Sequence, residues 1–454
     1  MITAQELQDR LDRLAKDHNV TGAAAAVAVG DEVVTAHTGC ANTTTAMPVR
    51  HDTLFAAGSV TKVFTVSLVM SLVDDGLVEL DTPVQRYLPE FRLADEETSA
   101  QVTVRMLLNH TAGIPGHCMF NLPRSPEVLA RHLELMRDLP FASPPGRFWS
   151  YSNGGMAVAG RIAEAVTGRT WDEALAERIL RPLGGGATTY GEEMVLGSTA
   201  VGHLVDPSGA VTRVPRLLLD SGNGPAGATL FCDIDTMIAF GQMHLREGRA
   251  ADGKPVLSPE SAALMQAPSL APHWGLSFDN WGLGWYIRGT GAGRTLGHTG
   301  ANAGAHSILT IAPEHGCAIA VLTNSNTGAM LNPLLTEELF QELYGISAAP
   351  RPEEPGEPLT VDLDRYTGTY EAEGGSVTVT VRDERLNVEQ YMDENLTEHL
   401  DLMMPGLLPL PPMTLAPVAS DGRFLSDAGM PVSFVDDASY VYVGRIFRRV
   451  SAAV

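Results

Sequence analysis

The chain has 454 residues, of which 44% are hydrophobic and 19% are charged, and its net charge is −23. This length predicts more than one compact unit, and the composition is that of an ordinary globular protein. The strong negative charge argues against nucleic acid and against an anionic membrane surface as partners.

The first 20 residues, MITAQELQDRLDRLAKDHNV, predict an amphipathic helix. They lack the basic start, apolar centre and small-residue cleavage site of an export signal. No apolar run in the chain is long enough to span a bilayer. The four cysteines show no metal-type spacing and are typical of free thiols in a reducing compartment. We therefore expect a cytoplasmic protein that uses neither a metal nor another cofactor.

The next elements follow in chain order. GAAAAVAVGDEVVTAHTG predicts two strands joined at Gly30–Asp31, and SVTKVFTVSLVMSLVDDGL predicts a helix from near Ser59 to just before Gly76. A helix-rich middle contains PEVLARHLELMRDL and GMAVAGRIAEAVTGRTWDEALAERIL. Strands return at about Trp281 and precede a last helix, LNPLLTEELFQELYG. This order predicts an α/β (α+β) domain in which helices flank a sheet and a helical subdomain is inserted.

The end of the chain has a different character. SAAPRPEEPGEP is rich in proline and glutamate without periodicity, which indicates a linker at residues 347–359. SVTVTVRDERLNVEQ and YVYVGRIF alternate with period two, which predicts a small antiparallel β-barrel or sandwich. The predicted organisation is therefore a first domain at residues 1–346 and a second at residues 360–454.

Lysine is rare in this chain, because Lys16, Lys62 and Lys254 are the only three among 31 basic residues. Lys62 lies in an apolar segment three positions after Ser59, so a helix places both side chains on one face. Burial lowers the pKa of a lysine, and the neutral amine can then take the serine proton, which arginine cannot do. The spacing indicates a serine nucleophile with a lysine base. A lysine that reaches solvent from the helix surface is the alternative.

Two later stretches offer partners for this pair. WSYSNGG contains Tyr151, which could relay protons, and Asn153, which could donate to a substrate carbonyl. A loop tyrosine followed by a turn-forming asparagine is the alternative. GHTGANAG places His298 on a predicted strand. The tripeptide HTG also occurs at residues 37–39, so only the position of the second copy, after the helical insertion, favours it.

The ordered set SVTK, YSN and HTG resembles the three motifs of the serine β-lactamase and penicillin-binding-protein superfamily. Further segments resemble recurring segments of the class C-like branch of this superfamily; they are LDTPVQRYLPEF, TVRMLLNHTAGIPG and PPGRFWSYSNGG. The likeness spans roughly residues 5–345. The C-terminal part, which opens with LDRYTGTYEAEGG, resembles a lipocalin-like domain found in some members. The resemblance implies a β-lactamase-like fold with an antiparallel sheet, followed by a lipocalin-like antiparallel barrel.

The same resemblance implies roles for individual residues. Ser59 would be the acylated nucleophile, Lys62 its base and Tyr151 a proton relay. Asn153 would hold a substrate amide. The backbone N–H groups of Ser59 and Ala301 would form the oxyanion hole that stabilises the tetrahedral intermediate.

Two features depart from β-lactamases. Those enzymes usually carry lysine where His298 stands, and a histidine is neutral about as often as charged near neutral pH. They also work outside the cytoplasm, where we do not expect this chain. An HTG motif, no export signal and an appended barrel together resemble the penicillin-binding-protein-type thioesterases, which cyclise nonribosomal peptides head to tail.

That closer resemblance implies a peptidyl thioester on a peptidyl carrier protein as substrate, with a D-residue at the acyl donor. His298 would help to orient or deprotonate the attacking amine. The C-terminal GRIFRRV offers Arg445, Arg448 and Arg449, and we select Arg445 as the one that reaches the cleft to bind peptide. An acidic carrier would be repelled by a chain of −23 unless charge is locally segregated.

Other functions stay open at this point. The same acyl-enzyme with water as acceptor would make a cytoplasmic D-stereospecific peptidase or esterase. A β-lactamase is a further alternative, and a catalytically silent binding or scaffold homologue is an alternative from a different class. The sequence does not fix the peptide, the acceptor or the oligomeric state.

Overall fold

The computed structural model describes residues 2–270, 278–347, 359, 361–403 and 408–451. Most of the predicted linker, residues 348–358, lies outside the described residues. The proposed boundaries at residues 346 and 360 therefore stay predictions.

The described helices are numbered along the chain. They are α1 (Ala4–Asp17), α2 (Thr61–Asp74), α3 (Glu96–Ser99), α4 (Val104–Leu108), α5 (Val128–Met136), α6 (Asn153–Thr167), α7 (Trp171–Leu175), α8 (Arg181–Leu183), α9 (Gly191–Met194), α10 (Ile234–Leu245), α11 (Pro259–Gln266), α12 (Gly328–Tyr344) and α13 (Glu394–Met403). Within the described ranges, none of them combines the length and apolar character needed to cross a membrane.

The strands of the first part belong to one large sheet and two small ones. They are β1 (Gly22–Val29), β2 (Glu32–Asn42), β3 (Met47–Pro48), β4 (Phe55–Ala56), β5 (Ala187–Thr188), β6 (His203–Val205), β7 (Val211–Arg213), β8 (Phe231–Cys232), β9 (Asn280–Trp281), β10 (Tyr286–Thr290), β11 (Gly293–Asn302), β12 (Ala305–Ala312) and β13 (Cys317–Thr323). The large sheet is antiparallel and has the order β3-β2-β1-β13-β12-β11-β10-β9.

Helices cover both faces of this sheet. The apolar stripe of α1 packs with α12 against one face, and α2 and α10 pack against the other. Because β1 is buried on both sides, its sequence GAAAAVAV is apolar throughout rather than alternating. Helix α2 is apolar around its whole circumference for the same reason. The predicted antiparallel sheet with flanking helices and a helical insertion between β4 and β9 is confirmed.

The C-terminal part forms a closed eight-stranded antiparallel barrel, as predicted. Its strands are β14 (Gly368–Ala372), β15 (Gly375–Arg382), β16 (Arg385–Met392), β17 (Met413–Pro417), β18 (Arg423–Ser426), β19 (Pro431–Val435), β20 (Tyr440–Val443) and β21 (Arg445–Ser451). Aromatic rings fill its interior, where Phe434 lies 4.7 Å from Tyr366 and 5.8 Å from Tyr370 between ring centroids. The barrel interior is therefore a packed core.

The barrel docks on the domain that contains the large sheet. Glu373, at the turn between β14 and β15, accepts hydrogen bonds from the backbone N–H groups of His117 and Cys118, each at 3.3 Å. On β21, the backbone N–H of Ile446 donates to Ser150 Oγ at 3.3 Å. Both contacts involve loops that precede α6, so the barrel packs beside the N-terminus of that helix.

Helix α2 depends on a buried aromatic pair. The ring of Phe64 stacks on that of Phe240 of α10 with a centroid distance of 3.6 Å, and both side chains are fully buried. We predict that Phe64→Ala lowers the free energy of unfolding by about 3–5 kcal/mol, because it leaves a cavity under α2. Chemical denaturation followed by circular dichroism measures this loss. Leu77→Ala is the control, since Leu77 is 45% exposed, and an equal loss in both variants would contradict the packing account.

Candidate active site

Ser59 and Lys62 lie at the start of α2. Ser59 belongs to a 3-10 turn, Gly58–Val60, that leads directly into the helix, and Lys62 lies in the first turn of α2. The Nζ atom of Lys62 is 3.1 Å from Ser59 Oγ and donates a hydrogen bond of 2.6 Å to the carbonyl of Ala226. The lysine side chain is fully buried and the serine is half-buried.

The environment of Lys62 favours its neutral form. Burial lowers the pKa of Lys62 well below its ordinary value, and the positive charge of Arg445 lowers it further. A neutral amine that donates to Ala226 keeps a lone pair to receive the Ser59 proton. The geometry therefore suits general-base activation of the serine.

Three backbone segments interlock around Ser59. A Cβ on Gly227, where φ is +127°, would lie 2.4 Å from the Gly58 carbonyl oxygen, and a Cβ on Gly300 would lie 2.3 Å from the Ala57 carbonyl oxygen. Only glycine permits approaches this close. A Cβ on Gly58 would lie 2.7 Å from the backbone nitrogen of Ala301. The backbones of Ser59 and Ala301 are thus adjacent, as the predicted oxyanion hole requires.

Tyr151 lies between two cationic side chains. Its ring centroid is 4.6 Å from Lys62 Nζ and 4.8 Å from the guanidinium carbon of Arg445. Its hydroxyl faces the Ser59 side chain and lies 3.5 Å from His298 Nε2. Burial raises the pKa of Tyr151 above its ordinary value, so the phenol stays protonated at neutral pH. A phenol that contacts both the nucleophile and the histidine can pass a proton between them.

His298 differs from the expectation in its charge. Burial, with a smaller contribution from Lys62, lowers the pKa of His298 to about 3, so the ring is neutral at neutral pH rather than charged about half the time. Its Nδ1–H donates to the Thr299 carbonyl at 2.6 Å, which leaves the Nε2 lone pair facing the Tyr151 hydroxyl. His298 is therefore placed as a hydrogen-bond acceptor, and its low pKa makes it a weak base toward an amine.

Asn153 is the first residue of α6, and its backbone N–H donates to the Gly116 carbonyl at 2.8 Å. Ser152 caps the helix, and its own N–H donates to His110 Nδ1 at 3.2 Å. The His110 ring lies 4.6 Å from that of Tyr151. This buried histidine therefore fixes the segment that carries both motif residues.

Arg445, the first residue of β21, extends from the barrel into the cleft. Its Nη1 donates to the Gly444 carbonyl at 3.2 Å, and its Nε is buried with no hydrogen-bond partner in the described part of the chain. Arg448 is exposed, and Arg449 donates to the carbonyls of Arg365 and Thr367. Of the three predicted arginines, only Arg445 faces the nucleophile.

Two cavities meet at Ser59. One, of about 540 Å³, has aromatic walls and includes His298; the other, of about 180 Å³, includes Asn153. Both are lined by Ser59, Tyr151, Ala301 and Arg445. Lys62 is hydrogen-bonded to Ser59 from below. The structure therefore brings every sequence-predicted site residue to one cleft. Their catalytic and binding roles stay predictions.

Sequence reasoning missed two groups that shape this site. The Ala226 carbonyl holds Lys62 in place, and a backbone carbonyl leaves no side-chain signal in a sequence. Glu373 fixes the loop that bonds to Asn153, yet it lies more than 250 positions away from that loop. His298, in the second HTG copy, lines the cleft, whereas His37, in the first copy, is exposed on β2.

Comparisons with known proteins identify the family of the chain. The beta-lactamase family profile matches residues 7–343. Penicillin-binding protein 4 of Amycolatopsis lactamdurans is 38% identical over 378 residues, which cover 81% of this chain and 98% of that protein. Esterase EstB of Burkholderia gladioli is 34% identical over 197 residues, which cover 40% of this chain and 50% of that protein.

Two solved structures match nearly the whole chain. The crystal structures of SurE and of SurE with D-Leu each align with a TM-score of 0.80 and 26% identity, covering 98% of this chain and 99% of theirs. The fold and the cleft define a serine-nucleophile enzyme of the β-lactamase and penicillin-binding-protein superfamily. The chain belongs to the beta-lactamase family, and its likeness to SurE extends through the barrel.

Replacing the lysine tests its role as base. We predict that Lys62→Arg and Lys62→Met each lower the rate of Ser59 acylation by about 10²–10⁴-fold, because neither side chain can accept a proton. In the unchanged protein, acylation should slow as the pH falls through the lowered pKa of Lys62, since protonation removes the lone pair. Intact-protein mass spectrometry with a thioester probe measures both. A rate that keeps rising up to the ordinary lysine pKa of about 10.4 would contradict this assignment.

Arg445 should also act on the site through its charge. Its removal in Arg445→Gln should raise the pKa of Lys62, so the acid limb of the pH–rate profile moves to higher pH. Arg448→Gln is the matched control, because Arg448 is exposed on the same strand and should leave the limb in place. An unmoved limb in Arg445→Gln would show that the two charges do not interact.

Proposed function

We propose that this enzyme takes a peptide from a carrier-protein thioester onto Ser59 and releases it by head-to-tail amide formation. The observation that carries the proposal is the position of Arg445, which the barrel inserts beside a complete serine acylation site. A barrel with this position is expected where substrate binding extends beyond the bond that reacts. The whole-length likeness to SurE supports the same view.

The reaction would proceed in two balanced steps. Ser59 Oγ attacks the thioester carbon while Lys62 takes its proton, and the oxyanion accepts hydrogen bonds from the N–H groups of Ser59 and Ala301. The C–S bond then breaks, and the protonated Lys62 returns its proton to the leaving thiol. This leaves an ester on Ser59 and a neutral lysine.

In the second step, the peptide's own neutral amine attacks the ester carbon. The amine proton passes to Lys62, directly or through Tyr151, and the lysine then protonates Ser59 Oγ as the ester bond breaks. His298 accepts a hydrogen bond from Tyr151 and so orients the phenol toward the amine. With a pKa of about 3, His298 would orient the Tyr151 hydroxyl, which carries the amine's proton, rather than deprotonate the amine itself.

Two further parts of the proposal concern the substrate. A D-residue at the acyl donor is supported by the structure of SurE with D-Leu, a relative that matches this chain over its whole length. A peptidyl carrier protein is proposed as the partner, with the cytoplasm as the compartment. Because the chain carries a charge of −23, we expect an acidic carrier to approach on the side of the cleft that contains Arg445 rather than elsewhere.

Hydrolysis is the second candidate function. Ser59 is half-buried rather than sealed, so water can reach an acyl-enzyme, and a D-stereospecific peptidase or esterase would use the same first step. The partial likeness to Esterase EstB supports this alternative. A β-lactamase is less well supported, because His298 is neutral where a fixed cation would hold a penicillin carboxylate.

The acceptor decides between these functions. We predict that a linear peptide thioester ending in a D-residue gives a product lighter by the thiol and without added water, and that Ser59→Ala gives none. The same peptide ending in the L-residue should react at least about tenfold more slowly. Liquid chromatography with mass spectrometry measures both products.

Two outcomes would overturn the proposal in different ways. A linear acid as the sole product would identify water as the acceptor and favour the hydrolase. An unmodified Ser59 after incubation with thioester, ester and β-lactam would favour the silent binding or scaffold homologue. An N-terminally acetylated peptide is the control, since its blocked amine cannot cyclise.

A further inference from the structure

Asn332, in the second turn of α12, has a side-chain amide without a hydrogen-bond partner among the described residues. Its side chain is 2% exposed, and neither Nδ2 nor Oδ1 has a hydrogen-bond partner in the described part of the chain. A buried amide in this state costs free energy, because water has been removed and nothing replaces it. Such a group is expected where a ligand supplies the missing hydrogen bonds.

Asn332 lines the cavity of about 540 Å³ that also contains Ser59. The next residue, Pro333, has no N–H, so the Ala329 carbonyl lacks the helical hydrogen bond that position 333 would normally give. Ala329 and Gly328, the first two residues of α12, line the same cavity. The start of α12 therefore presents a second acceptor beside the unpaired Asn332.

The chemistry of this group selects its ligand. Asn332 offers one acceptor oxygen and two donor hydrogens, which complement the N–H and C=O of a secondary amide. A carboxylate would use the donor but would face Oδ1 with a like partial charge. The Ala329 carbonyl, which receives no helical hydrogen bond from Pro333, adds acceptor capacity, and this also favours a ligand that carries N–H groups.

We propose that Asn332 and the start of α12 bind a secondary amide of the substrate in the cavity of about 540 Å³. This inference rests on the proposed function, because it treats the smaller cavity, which includes Asn153, as the acyl-donor side. Two parts of the substrate could supply the amide. One is the pantetheine arm of the leaving thiol, and the other is the peptide backbone next to the attacking amine.

The test compares two thioesters of one D-terminated peptide. One carries pantetheine, which contains amides, and the other carries propanethiol, which contains none. If the amide belongs to the thiol arm, Asn332→Leu should lower kcat/KM about tenfold for pantetheine and less than twofold for propanethiol. If it belongs to the peptide, acylation should be unchanged with both, and the ratio of cyclic to linear product should fall about tenfold.

Protein stability separates binding from a structural role. Asn332→Leu removes unpaired polar atoms at nearly constant volume, so the melting temperature should stay the same or rise. A lower melting temperature, with equal losses on all substrates, would overturn the proposal. So would unchanged acylation kinetics with both thiols together with an unchanged ratio of cyclic to linear product. Met330→Leu is the matched control, since Met330 is 56% exposed in the same part of α12.

Failure of this inference can be told from failure of the proposed function. Acylation of Ser59 in the Asn332→Leu variant, followed by intact-protein mass spectrometry, reports the first step alone. If Ser59 is acylated with unchanged kinetics in both proteins, and the ratio of cyclic to linear product is also unchanged, the amide subsite is excluded and the enzyme assignment stays intact. If Ser59 is acylated neither in the unchanged protein nor in Asn332→Leu, the proposed function itself is excluded.

Discussion

The buried amine of Lys62 is the constraint on which the rest of the site depends. A charged ammonium in this position would lack both water and a counter-ion, so the protein stabilises the neutral form. The Ala226 carbonyl then orients the amine, and its lone pair can serve Ser59. The same burial acts on His298 and Tyr151, which are held neutral beside it.

The appended barrel belongs to this electrostatic arrangement. Its interior is a packed aromatic core, so its contribution lies on its outer face, where Arg445 and Glu373 reach the neighbouring domain. Arg445 stacks on Tyr151 and disfavours a charge on Lys62, while Glu373 holds the loop before α6. Through this one arginine, the barrel contributes a positive charge that lowers the pKa of Lys62.

The sequence predicted the elements that local patterns encode. The scarcity of lysine and the three-residue spacing from Ser59 indicated a buried base, and the motif order indicated Tyr151, Asn153 and His298. Period-two alternation indicated the barrel strands. The neutral state of His298 could not be predicted, because its burial arises from residues distant in sequence.

Other features could not be predicted for related reasons. The sequence offered Arg445 as the arginine that reaches the cleft, but its contact with Tyr151 depends on how the barrel docks. The partner of a backbone carbonyl such as that of Ala226 also depends on tertiary packing. The unpaired state of Asn332 is likewise a property of the folded cavity. The contacts of Arg445 with Tyr151 and of Ala226 with Lys62 join segments more than 30 positions apart, beyond the reach of any local pattern.

A direct measurement of the Lys62 pKa tests this account most sharply. The chain has only three lysines, so selective isotope labelling of the lysine ε-carbons gives three NMR signals, and Lys62→Met assigns one of them. The account predicts that the Lys62 signal titrates well below the ordinary lysine value of about 10.4. A Lys62 signal that titrates at that ordinary value would contradict the neutral buried base.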